Sequence, residues 1–308
     1  MLDIQFIRDN AKTTRDACES KGLNPDVVDN LLTTDKKRRK LIQDVEKIRA
    51  ERNTLNDTLK KTRTPELITE SKELKSKLGD IEPELKKLET SYRDLMLQIP
   101  NIPLDEVPVG EDESGNVVVR EWGEKREFDF EPLDHIALGE KNGWLDLERG
   151  SKVAGYRGYF LTGDAVFLQQ RLMDFALRHF ADKDYTPVIP PVVDKRSAFV
   201  NTGHFPWGES EAYKLESDET DPQNDFFLAG TAEVPLVSMY AGETLREADL
   251  PLKMVGLSPC FRREIGSYGR DTRGFYRVHE FSNIEQVVLC ENSIETSRKM
   301  HEDMHNYT

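Results

Sequence analysis

The stretch MVGLSPCFRRE (residues 254–264), IGSYGRDTRG (265–274) and FYRVHEFSNIEQVVL (275–289) contains the pattern that decides the fold. Apolar and polar residues alternate on both sides of a Gly/Arg-rich centre, and alternate side chains of a strand point to opposite faces. The alternation predicts a long antiparallel hairpin with one apolar face. The other face is expected to present Cys260, Arg262 and Glu264, followed on the second strand by Phe275, Arg277, His279, Phe281, Asn283 and Glu285.

This charged and aromatic face is typical of a binding surface. Guanidinium groups bind phosphate and carboxylate through their fork of donors, an aromatic ring stacks on a nucleobase, and a carboxylate pairs with an ammonium group. The alternative interpretation is an exposed hairpin face that only contacts solvent.

Four stretches of the chain resemble one family of enzymes. FRRE, the Gly/Arg-rich loop and RVHEF (277–281) resemble motif 2 of the class II aminoacyl-tRNA synthetases, in the form that the seryl-tRNA synthetase family has. MLDIQFIRDN (1–10) is similar to the N-terminus of that family. YTPVIPPVV (185–193) with NTGHFP (201–206) is similar to motif 1, and LAGTAEVPL (228–236) to the serine-binding segment.

The resemblance implies an α+β fold made of an N-terminal antiparallel helical hairpin, a coiled-coil arm, and a class II antiparallel β-sheet catalytic domain. It implies a tRNA-binding domain over residues 1–103 and a catalytic domain over residues 104–308 that contains motifs 1 and 2 only. The family's motif 3, with its ATP-binding Arg, is expected beyond Thr308, so the 308 residues alone are expected to be incomplete for activity.

The resemblance also implies a reaction and its residues. The family activates L-serine with ATP to seryl-adenylate, with Mg²⁺ on the phosphates, and transfers the seryl group to tRNA(Ser). Arg262 is implied as the catalytic residue that bridges the serine carboxylate and the α-phosphate. The implied ATP-binding residues are Arg262, Arg263, Glu264, Arg277, Val278 and Phe281; those for L-serine are Thr231, Ala232, Glu233 and Glu285; no metal ligand is identified.

Alternatives remain at several of these positions. Thr231 and Glu233 are also compatible with the solvated end of a core strand. Arg270 and Arg273, in the loop from Gly266 to Gly274, either position the acceptor end of tRNA or are solvated charges. The whole chain is alternatively a non-catalytic tRNA-binding paralogue that lacks motif 3, or an enzyme that activates an amino acid for a carrier protein. The basic arm described next argues against the last alternative.

Charge is unevenly distributed along the chain. The net charge is −14, yet residues 35–63 contain eleven Lys and Arg against five Asp and Glu. Apolar residues recur there at heptad spacing, with Arg52 in one apolar position, and the spacing resumes after a break at residues 62–65. The pattern predicts two helices that fold back on each other as an antiparallel coiled coil. Pro83 should kink the second helix or weaken one of its turns. The apolar positions are Leu41, Val45, Ile48, Leu55 and Leu59, then Leu67, Leu74, Leu78, Ile81, Leu85, Leu88, Tyr92, Leu95 and Ile99.

The basic helix, from Lys36 to Arg63, has two interpretations. Its charges are either the solvated face of a dimerisation or spacer coiled coil, or a surface for a polyanion. The family resemblance favours the second interpretation, in which the arm contacts the backbone and shape of tRNA(Ser).

The resemblance assigns residues from Leu168 to Val193 to motif 1, which forms the homodimer interface of the family. LQQRLMDFALRHFA (168–181) has helical periodicity, and TPVIPPVV (186–193) is typical of an edge strand because it contains prolines. Asp184 stands where the family usually has Gly. His135, in HIAL (135–138), is interpreted as an ordinary surface or packing residue.

Composition limits the class of protein. The 308 residues favour about two domains, and the chain has no apolar run long enough to cross a membrane and no secretory signal pattern. Three widely spaced cysteines provide no disulfide framework and fit a reducing cytoplasm. Residues 100–116 are typical of a linker, and the last run, 292–308, predicts an amphipathic helix.

Overall fold

The computed structural model describes residues 2–216, 224–265 and 273–308. The chain forms two compact units, Met1–Glu124 and Lys125–Thr308. The predicted boundary between residues 103 and 104 stays a prediction. Within the described part of the chain, no helix is long and apolar enough to cross a membrane.

The first unit is helical. Its helices are α1 (Ile4–Asp9), α2 (Ala11–Ser20), α3 (Asp26–Lys61) and α4 (Pro65–Met96). Helix α4 begins where the sequence predicts, because the Thr64 side chain accepts a hydrogen bond from the Leu67 amide and Pro65 occupies the first turn. The 36 residues of α3 extend over about 54 Å at 1.5 Å per residue.

Helices α3 and α4 form the predicted antiparallel hairpin. Near its base, the Arg38 guanidinium lies 4.5 Å from the centre of the Tyr92 ring. Further out, Arg49 pairs with Glu82 at 2.8 Å. The predicted apolar positions are buried or half-buried along both helices, and α4 continues through Pro83 without interruption. The heptad spacing is thus confirmed as the seam between the two helices.

An ionic cluster lies at the base of the hairpin. The Asp35 side chain is 1% exposed, and both of its oxygens accept hydrogen bonds from Arg8 at 2.9 Å. Arg39 contributes a further hydrogen bond of 3.1 Å. Beside this cluster, α1, α2, α3 and the end of α4 share an apolar core of Ile7, Cys18, Val28, Leu31, Met96 and Ile99. Part of the basic charge of the arm is therefore used to neutralise a buried carboxylate.

The second unit contains short sheets and helices. Its helices are α5 (His135–Lys141), α6 (Leu147–Ala154), α7 (Asp164–Ala181), α8 (Arg196–Asn201), α9 (Glu233–Ser238) and α10 (Ile294–Tyr307). Its strands are β1 (Leu145–Asp146), β2 (Phe160–Leu161), β3 (Thr186–Val188), β4 (Val193–Lys195), β5 (Phe226–Leu228), β6 (Leu252–Phe261) and β7 (Glu280–Leu289). Strand β1 pairs with β2, β4 with β5, and β6 lies between β3 and β7.

The predicted hairpin is confirmed as the antiparallel pair β6–β7, with Gly256 opposite Glu285 and Cys260 opposite Phe281. Its predicted length is wrong. Strand β6 ends at Phe261 and β7 begins at Glu280, so residues 262–264 and 275–279 lie outside the strands. Beyond the end of β6, Glu264 adopts a positive φ of 52°, which a regular strand does not accommodate.

Helices cover both faces of the sheet around Met254 and Val255. Helix α9 packs on one face through Ala232 and Leu236, which contact Met254 and Val287. Helices α7 and α10 cover the other face, where Val255 lies in a cluster with Phe180 and Tyr185. The alternation within the strands correctly predicts which residues share a face, but both faces contain apolar contacts.

The predicted edge strand in motif 1 is confirmed for Thr186–Val188 only, and it pairs in parallel with β6. The chain then leaves the sheet at Pro190 and Pro191, and Val193 begins β4 in a separate sheet. Just before β3, Asp184 has a positive φ of 64°. A left-handed backbone is the conformation that glycine adopts without strain, so the Gly that the resemblance implies at this position would fit it.

Candidate active site

A hydrogen-bonded carboxylate marks one side of the site. The Thr231 hydroxyl donates to Glu285 Oε2, and the Asn283 side-chain amide donates to the same oxygen at 2.8 Å. Thr231 Oγ1 also accepts a hydrogen bond of 3.1 Å from the Glu233 amide at the start of α9. The turn before α9 is thereby joined to the middle of β7, so that three of the residues predicted for L-serine lie together.

A glycine permits this arrangement. Gly256 lies opposite Glu285 in the ladder, and a Cβ atom added there would lie 2.9 Å from both Ala232 Cβ and Leu236 Cδ1. Real Cβ atoms do not approach other carbons so closely, because the distance is well below van der Waals contact. Helix α9 therefore reaches the sheet only over a residue without a side chain.

Arg262 lies next to this carboxylate cluster. Its Nε donates a 2.9 Å hydrogen bond to the carbonyl of Gly230, the residue before Thr231. Its guanidinium carbon lies 5.2 Å from the centre of the Phe281 ring, within the range of a cation–π contact. The Arg262 backbone continues the ladder by one step, donating to the His279 carbonyl at 3.0 Å.

Arg262 also lines a cavity of about 910 Å³. Most of the residues predicted to bind ATP line it, and its volume fits a small-molecule or cofactor site. These residues are Arg262, Glu264, Arg277, Val278 and Phe281. Arg277 Nη1 donates to Glu264 Oε2 at 3.0 Å, so two of the three charged residues of this set form an ion pair.

Arg263 is not among the residues that line this cavity, so the structure does not bring it together with the other residues predicted to bind ATP. Its guanidinium donates to the Ser210 carbonyl at 3.3 Å and its amide to the Glu211 carbonyl at 2.9 Å. Both contacts turn it away from the cavity, because consecutive residues of an extended chain point in opposite directions. Of the two arginines predicted in the loop, Arg270 falls within residues 266–272, which lie outside the described residues. Arg273 is described, and it is exposed.

The sequence reasoning missed the residues of α5 to β2 that complete the cavity wall. His135, interpreted as a packing residue, accepts a 3.2 Å hydrogen bond from the Phe275 amide at Nε2. The Tyr159 hydroxyl donates to the Glu280 carbonyl at 3.1 Å, and its ring packs edge-on against Phe275. The sequence does contain one indication of this packing, a glycine in α6. A Cβ on Gly150 would lie 2.3 Å from the Tyr159 Cα atom, so only glycine lets α6 approach the segment before β2.

A thiol and a phenol near the site have raised pKa values. Burial raises the pKa of the Cys260 thiol, which lies opposite Phe281 on the same face of the hairpin. Burial likewise raises the pKa of the Tyr159 phenol. A thiol with a raised pKa is a poor nucleophile because the thiolate is the reactive form. The charge of the site therefore comes from arginine and glutamate side chains.

Comparison with known proteins identifies the family. The profile of the Seryl-tRNA synthetase N-terminal domain matches residues 1–103, and that of the tRNA synthetase class II core domain (G, H, P, S and T) matches residues 213–308. A serine–tRNA ligase of Deinococcus radiodurans is 45% identical over 306 residues, which are 98% of this chain and 70% of that protein. The chain belongs to the seryl-tRNA synthetase family.

Other members of the seryl-tRNA synthetase family agree with this assignment. A serine–tRNA ligase of Desulfitobacterium hafniense is 38% identical, covering 98% of this chain and 72% of that protein. The crystal structure of a seryl-tRNA synthetase from Pyrococcus horikoshii complexed with ATP superposes with a TM-score of 0.85 at 34% identity. It matches 99% of this chain and 73% of its own. The α+β fold with its helical arm, predicted from the resemblance, is confirmed.

Proposed function

We propose that this protein is a serine–tRNA ligase that activates L-serine with ATP and transfers the seryl group to tRNA(Ser). The observation that carries the proposal is the position of Arg262. Its guanidinium lies between the Thr231–Glu285 cluster and the cavity of about 910 Å³ that Glu264, Arg277 and Phe281 line. A cation between an amino-acid site and a nucleotide site is where a carboxylate and an α-phosphate would meet.

The Thr231–Glu285 cluster is proposed to bind L-serine. The carboxylates of Glu285 and Glu233 would accept hydrogen bonds from the ammonium and hydroxyl groups of the substrate, with buried Ala232 forming the wall between them. A site that hydrogen-bonds a substrate hydroxyl strongly rejects an analogue without it, because its own polar groups are then left unpaired. L-Alanine should therefore bind much more weakly than L-serine.

The cavity is proposed to bind ATP. The Phe281 ring would stack on the adenine, and the backbone at Val278 would contact its edge. Arg277 would hold the phosphates, and Glu264 would hold the ribose. Arg277 already pairs with Glu264 at 3.0 Å, so an incoming phosphate would share this cation with the carboxylate.

The reaction needs no protein nucleophile. The serine carboxylate oxygen attacks the α-phosphorus, and the bond from that phosphorus to the bridging oxygen breaks, so that pyrophosphate leaves with the electron pair. Arg262 would neutralise charge on both reacting groups and hold them in line. In the second step a ribose hydroxyl of tRNA attacks the seryl carbonyl, and AMP leaves.

Magnesium would accompany the nucleotide. The described residues contain no group of three or more His, Cys, Asp or Glu side chains that could hold a metal ion. Mg²⁺ commonly binds through one or two carboxylates together with substrate phosphates, and Glu264 at the cavity wall fits that donor set. When bound, the ion would neutralise charge on the polyphosphate.

The arm and motif 1 are proposed to provide the macromolecular contacts. Exposed cations on α3 and just after it, among them Lys36, Lys40 and Arg63, would contact the phosphates of tRNA(Ser). The segment from Leu168 to Val193 is proposed to form the interface of a homodimer, and the protein is proposed to act in the cytoplasm. Large apolar side chains exposed on α7 support this, because such a patch marks an interaction surface. They include Phe167 at 69%, Leu168 at 61% and Phe175 at 68% exposure.

The experiment uses a stable analogue of seryl-adenylate in which a sulfamoyl group replaces the phosphate. Calorimetric titration of the wild-type chain with the seryl, alanyl and threonyl analogues should show clear preference for the seryl compound, and Arg262→Ala should bind it much more weakly. Serine-dependent exchange of pyrophosphate into ATP provides the catalytic readout. Binding of tRNA(Ser) without binding of the seryl analogue would instead favour the non-catalytic paralogue.

A further inference from the structure

The charged residues proposed for the nucleotide lie outside the strands. Strand β6 ends at Phe261 and β7 begins at Glu280, yet the ion pair of Glu264 with Arg277 lies between these ends. The ladder of backbone hydrogen bonds therefore does not determine where this pair lies. Other contacts must hold the segments that carry it.

The segment before Arg277 is held by the first residue of α5. The Phe275 amide donates a 3.2 Å hydrogen bond to His135 Nε2, and the His135 ring lies 4.3 Å from the Tyr276 ring between centroids. Gly274 has a positive φ of 77°, and a Cβ there would lie 2.4 Å from His135 Nε2. The backbone thus rests directly on the imidazole, which accepts a hydrogen bond only while Nε2 carries no proton.

The segment around Glu264 is held from a different part of the chain. Glu211, at the end of the short 3-10 helix Glu209–Glu211, accepts from the Ile265 amide at 3.0 Å through its carboxylate. Its backbone carbonyl accepts from the Arg263 amide at 2.9 Å. Glu211 therefore contacts the residues on both sides of Glu264, whose positive φ of 52° needs surrounding contacts to persist.

We propose that His135 and Glu211 are positioning residues for nucleotide binding, each holding one end of the connection between β6 and β7 so that Glu264 and Arg277 face the cavity together. Neither residue is assigned to ATP itself. Their side chains act through backbone amides of Phe275 and Ile265. The inference rests on the proposed function, since the pair matters in this way only if ATP binds in the cavity.

The test compares acceptor-deleting with acceptor-retaining substitutions. In His135→Leu the acceptor is lost, whereas in His135→Gln the side-chain oxygen takes nearly the position of Nε2. We expect the Kd for ATP with Mg²⁺, measured by calorimetry, to rise about tenfold in His135→Leu, as for one lost hydrogen bond. In His135→Gln it should stay within about threefold of wild type. Glu211→Leu and Glu211→Gln form the second pair and should show the same contrast.

The matched control is His204→Leu. His204 also makes one ring-nitrogen hydrogen bond, 2.9 Å to the Thr202 hydroxyl, but it lies outside the cavity wall. This variant should keep the wild-type Kd for ATP even if its thermal unfolding temperature falls. Circular dichroism identifies any variant that fails to fold. If one Leu/Gln pair contains such a variant, the comparison within the other pair tests the inference.

Two results overturn the inference. One is an unchanged Kd for ATP in folded His135→Leu and Glu211→Leu; the other is an equal loss in the Leu and Gln variants of both residues. If wild type binds ATP in either case, the proposed function stands and only the positioning role fails. If wild type does not bind ATP at all, both proposals fail.

Discussion

Replacing Gly256 by alanine should separate the two halves of the site. The added methyl group would lie 2.9 Å from Ala232 Cβ and from Leu236 Cδ1, so α9 must move away from β6 by several tenths of an ångström. Forcing an extra methyl group into a packed core typically costs about 1–3 kcal/mol. Because Leu236 is 1% exposed and Ala232 is fully buried, neither neighbour can turn into solvent, and we expect the upper part of that range.

The movement should affect serine and not ATP. Glu233 begins α9 and Thr231 precedes it, so a shift of α9 lengthens the contact between Thr231 and Glu285. Losing that geometry should weaken binding of the seryl-adenylate analogue about tenfold, the equivalent of one hydrogen bond. The Kd for ATP alone should stay near wild type, because no residue of α9 lines the cavity.

Urea unfolding and calorimetric titration measure the two effects. Gly230→Ala serves as the steric control for the unfolding measurement, because a Cβ there would lie 3.5 Å from its nearest neighbour, an ordinary contact. A free energy of unfolding for Gly256→Ala equal to that of Gly230→Ala would refute the packing argument. Equal loss of affinity for the analogue and for ATP would refute the separation of the two sites.

Three further predictions concern other parts of the molecule. Replacing residues 45–85 by a short Gly/Ser turn should abolish tRNA(Ser) binding in a filter assay while binding of the seryl-adenylate analogue persists, since the cut leaves the base of the arm intact. Asp35→Asn should lower the free energy of unfolding of the first unit by about 2–3 kcal/mol in urea titration, less than for a fully buried pair because Arg39 is half exposed. Burial raises the pKa of Asp194 from 3.8 to about 6, so its folded state holds the proton more tightly and loses stability as pH rises from about 4 to 6. The stability gained by Asp194→Asn over wild type should therefore be about 2–2.5 kcal/mol larger at pH 7 than at pH 4. A difference in stability that does not change with pH would contradict this.

The sequence predicted the helices and strands in which apolar residues recur at a regular spacing. The heptad spacing of residues such as Val45 and Leu78 identified both arm helices and the turn between them, because each helix buries one stripe. The alternation from Met254 to Leu257 identified β6 and the residues that share a face. Resemblance then supplied the set of residues that the structure brings around Arg262.

Errors arose where the backbone leaves a regular repeat. Periodicity alone extended both strands of the hairpin, since Glu264 and Phe275 continue the alternation although the ladder has ended. The resemblance alone assigned Arg263 to ATP, and the structure places it against Ser210 and Glu211 instead of at the cavity wall. Such contacts depend on a segment about fifty residues earlier, which no local pattern contains.

The sequence by itself therefore determined the coiled-coil arm and the paired strands, because periods of two and of seven depend only on neighbours along the chain. The proposed site residues came from the resemblance to a known family. Only the tertiary structure decided how the ends of the hairpin are held. His135 and Phe275 are 140 positions apart, and their hydrogen bond exists because α5 packs beside the hairpin. Likewise, Gly256 is informative only once α9 is seen to lie on it, since close packing between distant segments leaves no periodic trace in the sequence.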